Sequence, residues 1–119
     1  MLRGEVWLIN LDPTLGAEIR KTRPAVIVSS DAVGVLPLRV VIPLTDWKDH
    51  YQQARWMVKI SPNLQNGLVK DSAADTFQIR SVSTTRLIRK LGEVTSDEMD
   101  TIIHAIGLVI EYLPMDGSN

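Results

Sequence analysis

Apolar residues are arranged in two regimes along the chain. Up to about residue 94 they come in short runs of strand length broken by turn residues, and beyond residue 95 they recur at helical spacing. Residues 5–10 (EVWLIN) are rich in β-branched and aromatic side chains and stop at Leu11-Asp12-Pro13, so they predict a strand ending in a turn. Residues 24–30 (PAVIVSS) and 38–44 (LRVVIPL) are continuous apolar runs, as expected for central strands buried on both faces. Residues 55–60 (RWMVKI) alternate instead, with Trp56, Val58 and Ile60 on one side and Arg55, Met57 and Lys59 on the other, which predicts a half-exposed strand with Trp56 in the core. Pro62 and Asn66-Gly67 mark turns. Residues 76–82 (TFQIRSV) predict a further strand, while Ser72-Ala73-Ala74 fits strand or helix.

The last element has a different period. Met99, Ile102, Ile103, Ile106, Val109, Ile110 and Leu113 form one apolar stripe, with Asp97, Asp100, Thr101, His104 and Glu111 opposite. Thr95 followed three residues later by Glu98 fits a capping box, and Pro114 is a stop signal, so the spacing predicts a helix over 96–113 and a tail over 114–119. Five or so short strands over about 3–94 followed by one helix predict a mainly β fold, a small and strongly curved antiparallel sheet or barrel with a C-terminal α-helix. The length of 119 residues fits a single domain, 1–119.

Composition narrows the chemistry. With 45% hydrophobic and 23% charged residues the chain is of globular type. It has no cysteine and two histidines, His50 and His104, which leaves no thiolate chemistry and too few ligands for a histidine metal site, so neither metal nor cofactor is expected. No apolar run reaches the roughly 18 residues of a membrane span, and MLRGEVW lacks the apolar core of a signal peptide; a cytoplasmic location is expected. The net charge of −1 hides an asymmetry: residues 93–119 carry six acids and no Lys or Arg, leaving residues 1–92 with 13 basic and 8 acidic groups, or +5. A basic body can therefore attract a polyanion despite the neutral total.

Nucleotide-binding glycine loops, zinc-protease and serine-hydrolase motifs are all absent. The unusual stretch is residues 16–24 (GAEIRKTRP), where three cations and a carboxylate precede an apolar strand. Pro24 fixes its own φ and biases Arg23 towards an extended backbone, so Arg23 is held at the lip of a sheet. The neighbouring strand closes on Pro43-Leu44-Thr45-Asp46. In an antiparallel pair the start of one strand lies beside the end of the other, which allows Arg23 and Thr45 to share one mouth. A guanidinium fork with a hydroxyl suits a phosphodiester; the same charges also fit a solvated loop with Glu18 as counterion.

The chain resembles the MazF/PemK (Kid-like) family, the toxin halves of bacterial toxin–antitoxin pairs. The resemblance rests on Arg3-Gly4-Glu5-Val6-Trp7, Leu11-Asp12-Pro13, Gly16-Ala17-Glu18, residues 22–29 (TRPAVIVS), Ile42-Pro43-Leu44-Thr45, Asp71-Ser72, residues 78–82 (QIRSV), Arg86-Leu87 and Leu91-Gly92-Glu93-Val94, and so runs from Arg3 to about Tyr112. It implies an SH3-like barrel, usually a homodimer, that cleaves single-stranded RNA at preferred sequences without a metal and is neutralised by an acidic antitoxin. By position, Arg23 resembles the catalytic arginine, Thr45 the active-site threonine and Glu18 the acid of the first long loop. The implied reaction is attack of a ribose 2′-OH on the adjacent phosphate, giving a 2′,3′-cyclic phosphate and a 5′-OH. Many relatives carry an acid directly before Gln-Ile-Arg, where this chain has Phe77. Glu18 is the first candidate for the general base and Asp75 the second, and both also fit as ion-pair partners of Arg20, Arg23 or Arg80.

RNA contacts are assigned to Arg20, Lys21, Trp47, Lys48, Gln78 and Arg80, with Trp47 and Tyr51 flanking a polar connection where rings can stack on unpaired bases. Trp7 and Trp56 are read as core, His50 as a loop residue and His104 as without a role. Two other functions fit the same fold: a CcdB-like toxin that binds gyrase without catalysis, and an inactive RNA-binding barrel that has lost its base.

Overall fold

The computed structural model describes residues 1–112. Strands β1 (Glu5–Asn10), β2 (Thr22–Ile27), β3 (Leu38–Asp46), β4 (Met57–Ile60), β5 (Ser72–Asp75), β6 (Arg80–Ser83) and β7 (Leu87–Glu93) precede a single helix, α1 (Ser96–Val109). The strands pair antiparallel in the order β4-β5-β3-β2-β1-β7, with β6 joining β3 beside β5. The sheet curls like a barrel without closing, and β4 and β7 are its two ends. Two register shifts in the β1–β7 ladder, between Val6 and Trp7 and between Leu8 and Ile9, add to the bend, as bulges do.

β3 organises the sheet because it has two partners on one flank. Residues 38–41 pair with β6 and residues 44–46 with β5, while Val41, Ile42 and Pro43 pair with β2 on the other flank. Pro43 falls where one flank changes partner, a place that tolerates a residue with no N–H to donate.

The apolar runs of β2 and β3 are buried on both faces, as their sequence predicts. Val26, Ile42 and Leu44 join Val58, Ile60 and Ala74 under the helix, while Ala25, Ile27 and Val41 join Ile9, Leu11, Val82 and Leu87 on the other side. A small sheet thus has two cores, and a strand between them shows no polar alternation. β1 is clamped to β7 by Glu5, which accepts from the Leu2 amide at 2.8 Å and the Trp7 indole at 2.9 Å and pairs with Lys90 at 3.1 Å. Burial alone would raise its carboxyl, but the hydrogen bonds of Trp7, Leu2, Lys90 and the terminal ammonium outweigh it and hold the group at about 2.

The helix begins as predicted. Thr95 Oγ1 accepts from the Glu98 amide at 3.1 Å and Glu98 Oε1 accepts from the Thr95 amide at 2.8 Å. It ends at Val109, earlier than the predicted residue 113, because Glu111 adopts a left-handed backbone (φ 57°) and Tyr112 N–H donates to Gly107 C=O at 2.8 Å. Leu113, Pro114 and the rest of the tail lie outside the described residues. Met99, Ile102 and Ala105 are the buried side chains, whereas Ile103 and Ile110 are exposed: the curled sheet accepts a narrower stripe than the periodicity marks.

Three further expectations are corrected. Residues 76–82 are not one strand; β5 stops at Asp75, residues 76–78 make a 3-10 turn, and β6 starts at Arg80. Side-chain caps cause the break, since Asp75 Oδ1 accepts from the Phe77 amide at 3.1 Å and Thr76 N–H and Oγ1 both donate to Trp56 C=O, at 3.1 and 2.7 Å. Trp56 precedes β4 rather than belonging to it, and is 42% exposed instead of buried in the core. The five or so expected strands are seven.

Candidate active site

The site forms where β2 and β3 part. Their ladder ends with Ala25 opposite Pro43, yet β2 begins three residues earlier at Thr22 and β3 runs on to Asp46. The same register carried past its last pair sets Arg23 opposite Thr45. No ladder bond joins the strands there, and the gap opens into a cavity of about 330 Å³ lined by Arg23, Thr45, Asp46, Lys70 and Arg89. Arg23 is fixed from both sides: its backbone pairs with Ile9, and its Nε donates to Arg20 C=O at 3.0 Å, which leaves its terminal nitrogens for a ligand.

Three cations and one carboxylate line this cavity. Asp46 pairs with Lys70 at 2.8 Å, and its carboxyl is held below its ordinary value by that bond first, then by the charges of Lys70, Arg23 and Lys48. The remaining field is positive, which suits a phosphate.

Asp75 approaches Thr45 through β5. Thr45 stands opposite Ala73, and Asp75 lies two residues further along β5, on the same face; diagonal neighbours of this kind are roughly 7–8 Å apart. The other face carries Leu44 and Ala74 into the core. Asp75 is 6% exposed and forms no ion pair among the described residues, and burial raises its carboxyl above the ordinary value, partly offset by the Phe77 and Gln78 amides. It lines a hollow of about 310 Å³ with Trp56, Phe77 and Gln78, and the Trp56 and Phe77 rings meet edge to face at 6.5 Å.

The other candidates lie elsewhere. Glu18 is exposed in an adjoining hollow of about 450 Å³ that shares Phe77 and Gln78 with that of Asp75 and also holds Arg80, and its carboxylate accepts from the Leu15 amide at 2.7 Å within its own loop. It forms no ion pair with Arg20, Arg23 or Arg80 among the described residues. Gln78 clamps that loop, accepting from Ile19 N–H at 2.7 Å and donating to Ala17 C=O at 3.1 Å, so its amide is already engaged. Arg80 donates to Leu11 C=O at 3.3 Å and Arg86 to Asn10 and Asp12 C=O, which makes both arginines struts of the first turn. Arg20 is exposed beside Arg23, and Lys21 is exposed with a left-handed backbone (φ 74°) fixed by bonds to Asp12 and Leu11. Trp47 packs edge to face with Tyr51 at 5.7 Å beneath Lys59 Nζ at 5.3 Å, with its indole nitrogen buried; Lys48 beside it is exposed. Among the described residues no group of three or more His, Cys, Asp or Glu side chains is placed to hold a metal.

Sequence reasoning missed Lys70 and Arg89. Arg89 reaches the cavity because Leu8 pairs with Pro24 on one flank and with Arg89 on the other, a cross-strand relation with no signature along the chain. Trp56 and Phe77 were also missed as neighbours, since the Thr76–Trp56 bonds that join them span 20 residues.

A curled, helix-backed sheet thus carries a cationic cavity and, on β5, a buried carboxylate that no ion pair among the described residues meets. Residues 2–110 match the family of PemK-like, MazF-like toxins of type II toxin–antitoxin systems, and the chain belongs to that family. It is 34% identical over 117 residues to endoribonuclease MazF9 of Mycobacterium tuberculosis, covering 93% of this chain and 97% of that protein. Endoribonuclease MazF of Staphylococcus saprophyticus is 29% identical over 108 residues, covering 91% and 89%. The fold matches the crystal structure of MazF from Deinococcus radiodurans with a TM-score of 0.77 at 23% identity, over 93% of this chain and 96% of that one. It matches an endoribonuclease in complex with its cognate antitoxin from a mycobacterial species with a TM-score of 0.75 at 23% identity, over 96% and 98%.

Proposed function

We propose that this chain is an endoribonuclease toxin that cleaves single-stranded RNA, mRNA in the cell, without a metal or cofactor and thereby stops translation and growth. One observation carries the reading: Arg23 faces Thr45 across the unpaired end of the β2–β3 ladder, inside the cationic cavity. In this mechanism the scissile phosphate lies in that cavity, with the Arg23 guanidinium taking the charge that builds on its oxygens and the Thr45 hydroxyl fixing its orientation. The adjacent ribose 2′-oxygen attacks phosphorus, its proton passes to a carboxylate, and the 5′-oxygen leaves with a proton from solvent. A cyclic phosphate and a 5′-OH result, so no water need be activated and DNA is refused for want of a 2′-OH.

The base role falls to Asp75 rather than Glu18. A base works best when its pKa is lifted towards the working pH and it carries no competing cation; Asp75 has that environment and shares a face with Thr45, whereas Glu18 is exposed and tied to Leu15. Glu18 and Gln78 then shape the loop that presents Arg20 and Lys21 to RNA, with Arg80 as its strut and Trp47 and Lys48 at the far rim.

The enzyme acts as a cytoplasmic homodimer and is silenced by an acidic antitoxin. Purified protein cutting a mixed-sequence single-stranded RNA in EDTA, with cyclic-phosphate ends, is the expected result. Arg23→Ala lowers the rate roughly 100- to 1,000-fold with an unchanged fold, and Thr45→Val lowers it less. Cleavage that stops on chelation, or an Arg23→Ala protein within a few-fold of wild type, overturns the mechanism.

A further inference from the structure

Two aromatic rings stand beside Asp75 with no core to fill. Phe77 is 67% and Trp56 42% exposed, in a chain with six aromatic residues, and they meet edge to face. Both belong to one stiff platform. The Trp56 carbonyl takes two hydrogen bonds from Thr76, the next residue is Phe77, and the Phe77 amide is capped by Asp75. Rings held this way lose little freedom when something packs on them.

Resting on the ribonuclease reading above, we propose that Phe77 and Trp56 are a stacking site for the base of the nucleotide whose 2′-OH attacks. Charge decides what enters. The hollow holds a buried carboxylate that meets no cation among the described residues and repels phosphate, while the cavity lined by Arg23, Lys70 and Arg89 against the single carboxylate of Asp46 draws phosphate in. The part of RNA suited to the hollow is therefore the neutral part, one base with its ribose, and about 310 Å³ is room for it. A base lying on Phe77 brings its own ribose to Asp75 while the following phosphate reaches Thr45 and Arg23. Stacking accepts any base, so this site sets where along the strand the cut falls rather than which base is read.

The test uses a short single-stranded RNA whose cleaved bond has been mapped, and the same RNA with an abasic nucleotide immediately 5′ of that bond. The abasic change raises KM for wild type roughly 5- to 150-fold. Phe77→Ala raises KM for the intact RNA by a similar factor with kcat within a few-fold, and the two changes together cost little more than either alone. Phe77→Tyr restores wild-type behaviour, and thermal melting of all three proteins agrees because the ring is exposed. Affinity for a mixed-sequence single-stranded RNA methylated at every 2′-oxygen, which needs no mapped bond and is read by fluorescence anisotropy, falls equally on Phe77→Ala. That binding arm decides the stacking site even if wild type cuts no RNA, the outcome that overturns the ribonuclease reading instead. The stacking proposal is overturned if Phe77→Ala leaves KM and affinity unchanged, or if the full abasic penalty persists in that variant. Unchanged RNA constants with weakened binding of a protein antitoxin likewise overturn it and make the rings a protein-docking face.

Discussion

Asp75 faces two opposing demands. As a base it must be ionised, yet its place at the end of β5 is 6% exposed and offers only the Phe77 and Gln78 amides, so the folded protein holds its proton more tightly than the unfolded chain does. The sign follows: a carboxyl raised from 3.8 contributes stability below that value and loses it as pH rises through the folded value. Asp75→Asn removes this titration and keeps an oxygen for the Phe77 amide. The unfolding free energy of Asp75→Asn relative to wild type therefore improves as pH rises above about 4, measured by urea denaturation at a series of pH values. Cleavage moves the other way, falling roughly 100- to 10,000-fold in Asp75→Asn, and in wild type it rises with pH through the same group. A variant that is active, or whose stability tracks wild type at every pH, removes Asp75 from the base role. The placement of Arg23 and Thr45 near facing strand ends was legible in the sequence, because each lies within two residues of a proline that borders an apolar run. Asp75 was legible only as a second choice, since its advantage over Glu18 depends on burial and on the pairing of Thr45 with Ala73.

At the scale of elements the cavity depends on a loop that contains no strand. Residues 67–70 form one wall, and they are held by Asn66, wholly buried, whose side chain bonds to Ser61 C=O at 2.8 Å and to the Asn63 and Leu68 amides. The loop lies so close on β7 that a Cβ on Gly67 would stand 2.1 Å from Leu91 C=O, and Gly67 has φ +69° besides. Gly67→Ala is strained twice, by the left-handed backbone and by the clash, and loses on the order of 2–4 kcal/mol. Chemical denaturation reads the loss, and cleavage by the folded fraction also falls because the wall moves; a variant as stable as wild type sinks this account of the loop. Asn66-Gly67 announced a turn in the sequence but not its contact with β7. The same limit explains the strands. β2 and β3 were legible because burial on both faces leaves an unbroken apolar run, whereas residues 76–82 kept a strand-like composition while Asp75 and Thr76 side chains bent them into a turn. The helix start was readable from Thr95 and Glu98, but its end was set by Glu111 in a conformation no composition announces.

For the whole molecule the decisive quantity is where charge lies. The total of −1 is neutral enough to suggest indifference to RNA, yet 13 basic and 8 acidic groups occupy residues 1–92, and of the six acids in the last 27 residues Asp97, Glu98 and Asp100 lie on the first turns of the helix. RNA and an acidic antitoxin are then expected to compete for the same cations, because a disordered acidic segment that folds on binding can present carboxylates where phosphates would sit. Their competition has a definite form. A saturating antitoxin abolishes RNA binding, a non-cleavable RNA raises the apparent Kd of the antitoxin in proportion to its own occupancy, and both affinities fall as salt rises through the physiological range, where the screening length is roughly 8–10 Å. Arg23→Ala weakens both ligands, which separates a shared cavity from a remote antitoxin surface acting through a change of shape. Titrations at several salt concentrations, together with light scattering showing twice the 13.3 kDa chain mass, check the assembly. An antitoxin that binds with full affinity to Arg23→Ala, or that stays bound while RNA is cut, refutes the shared cavity, and a mass of one chain at micromolar concentration refutes the dimer.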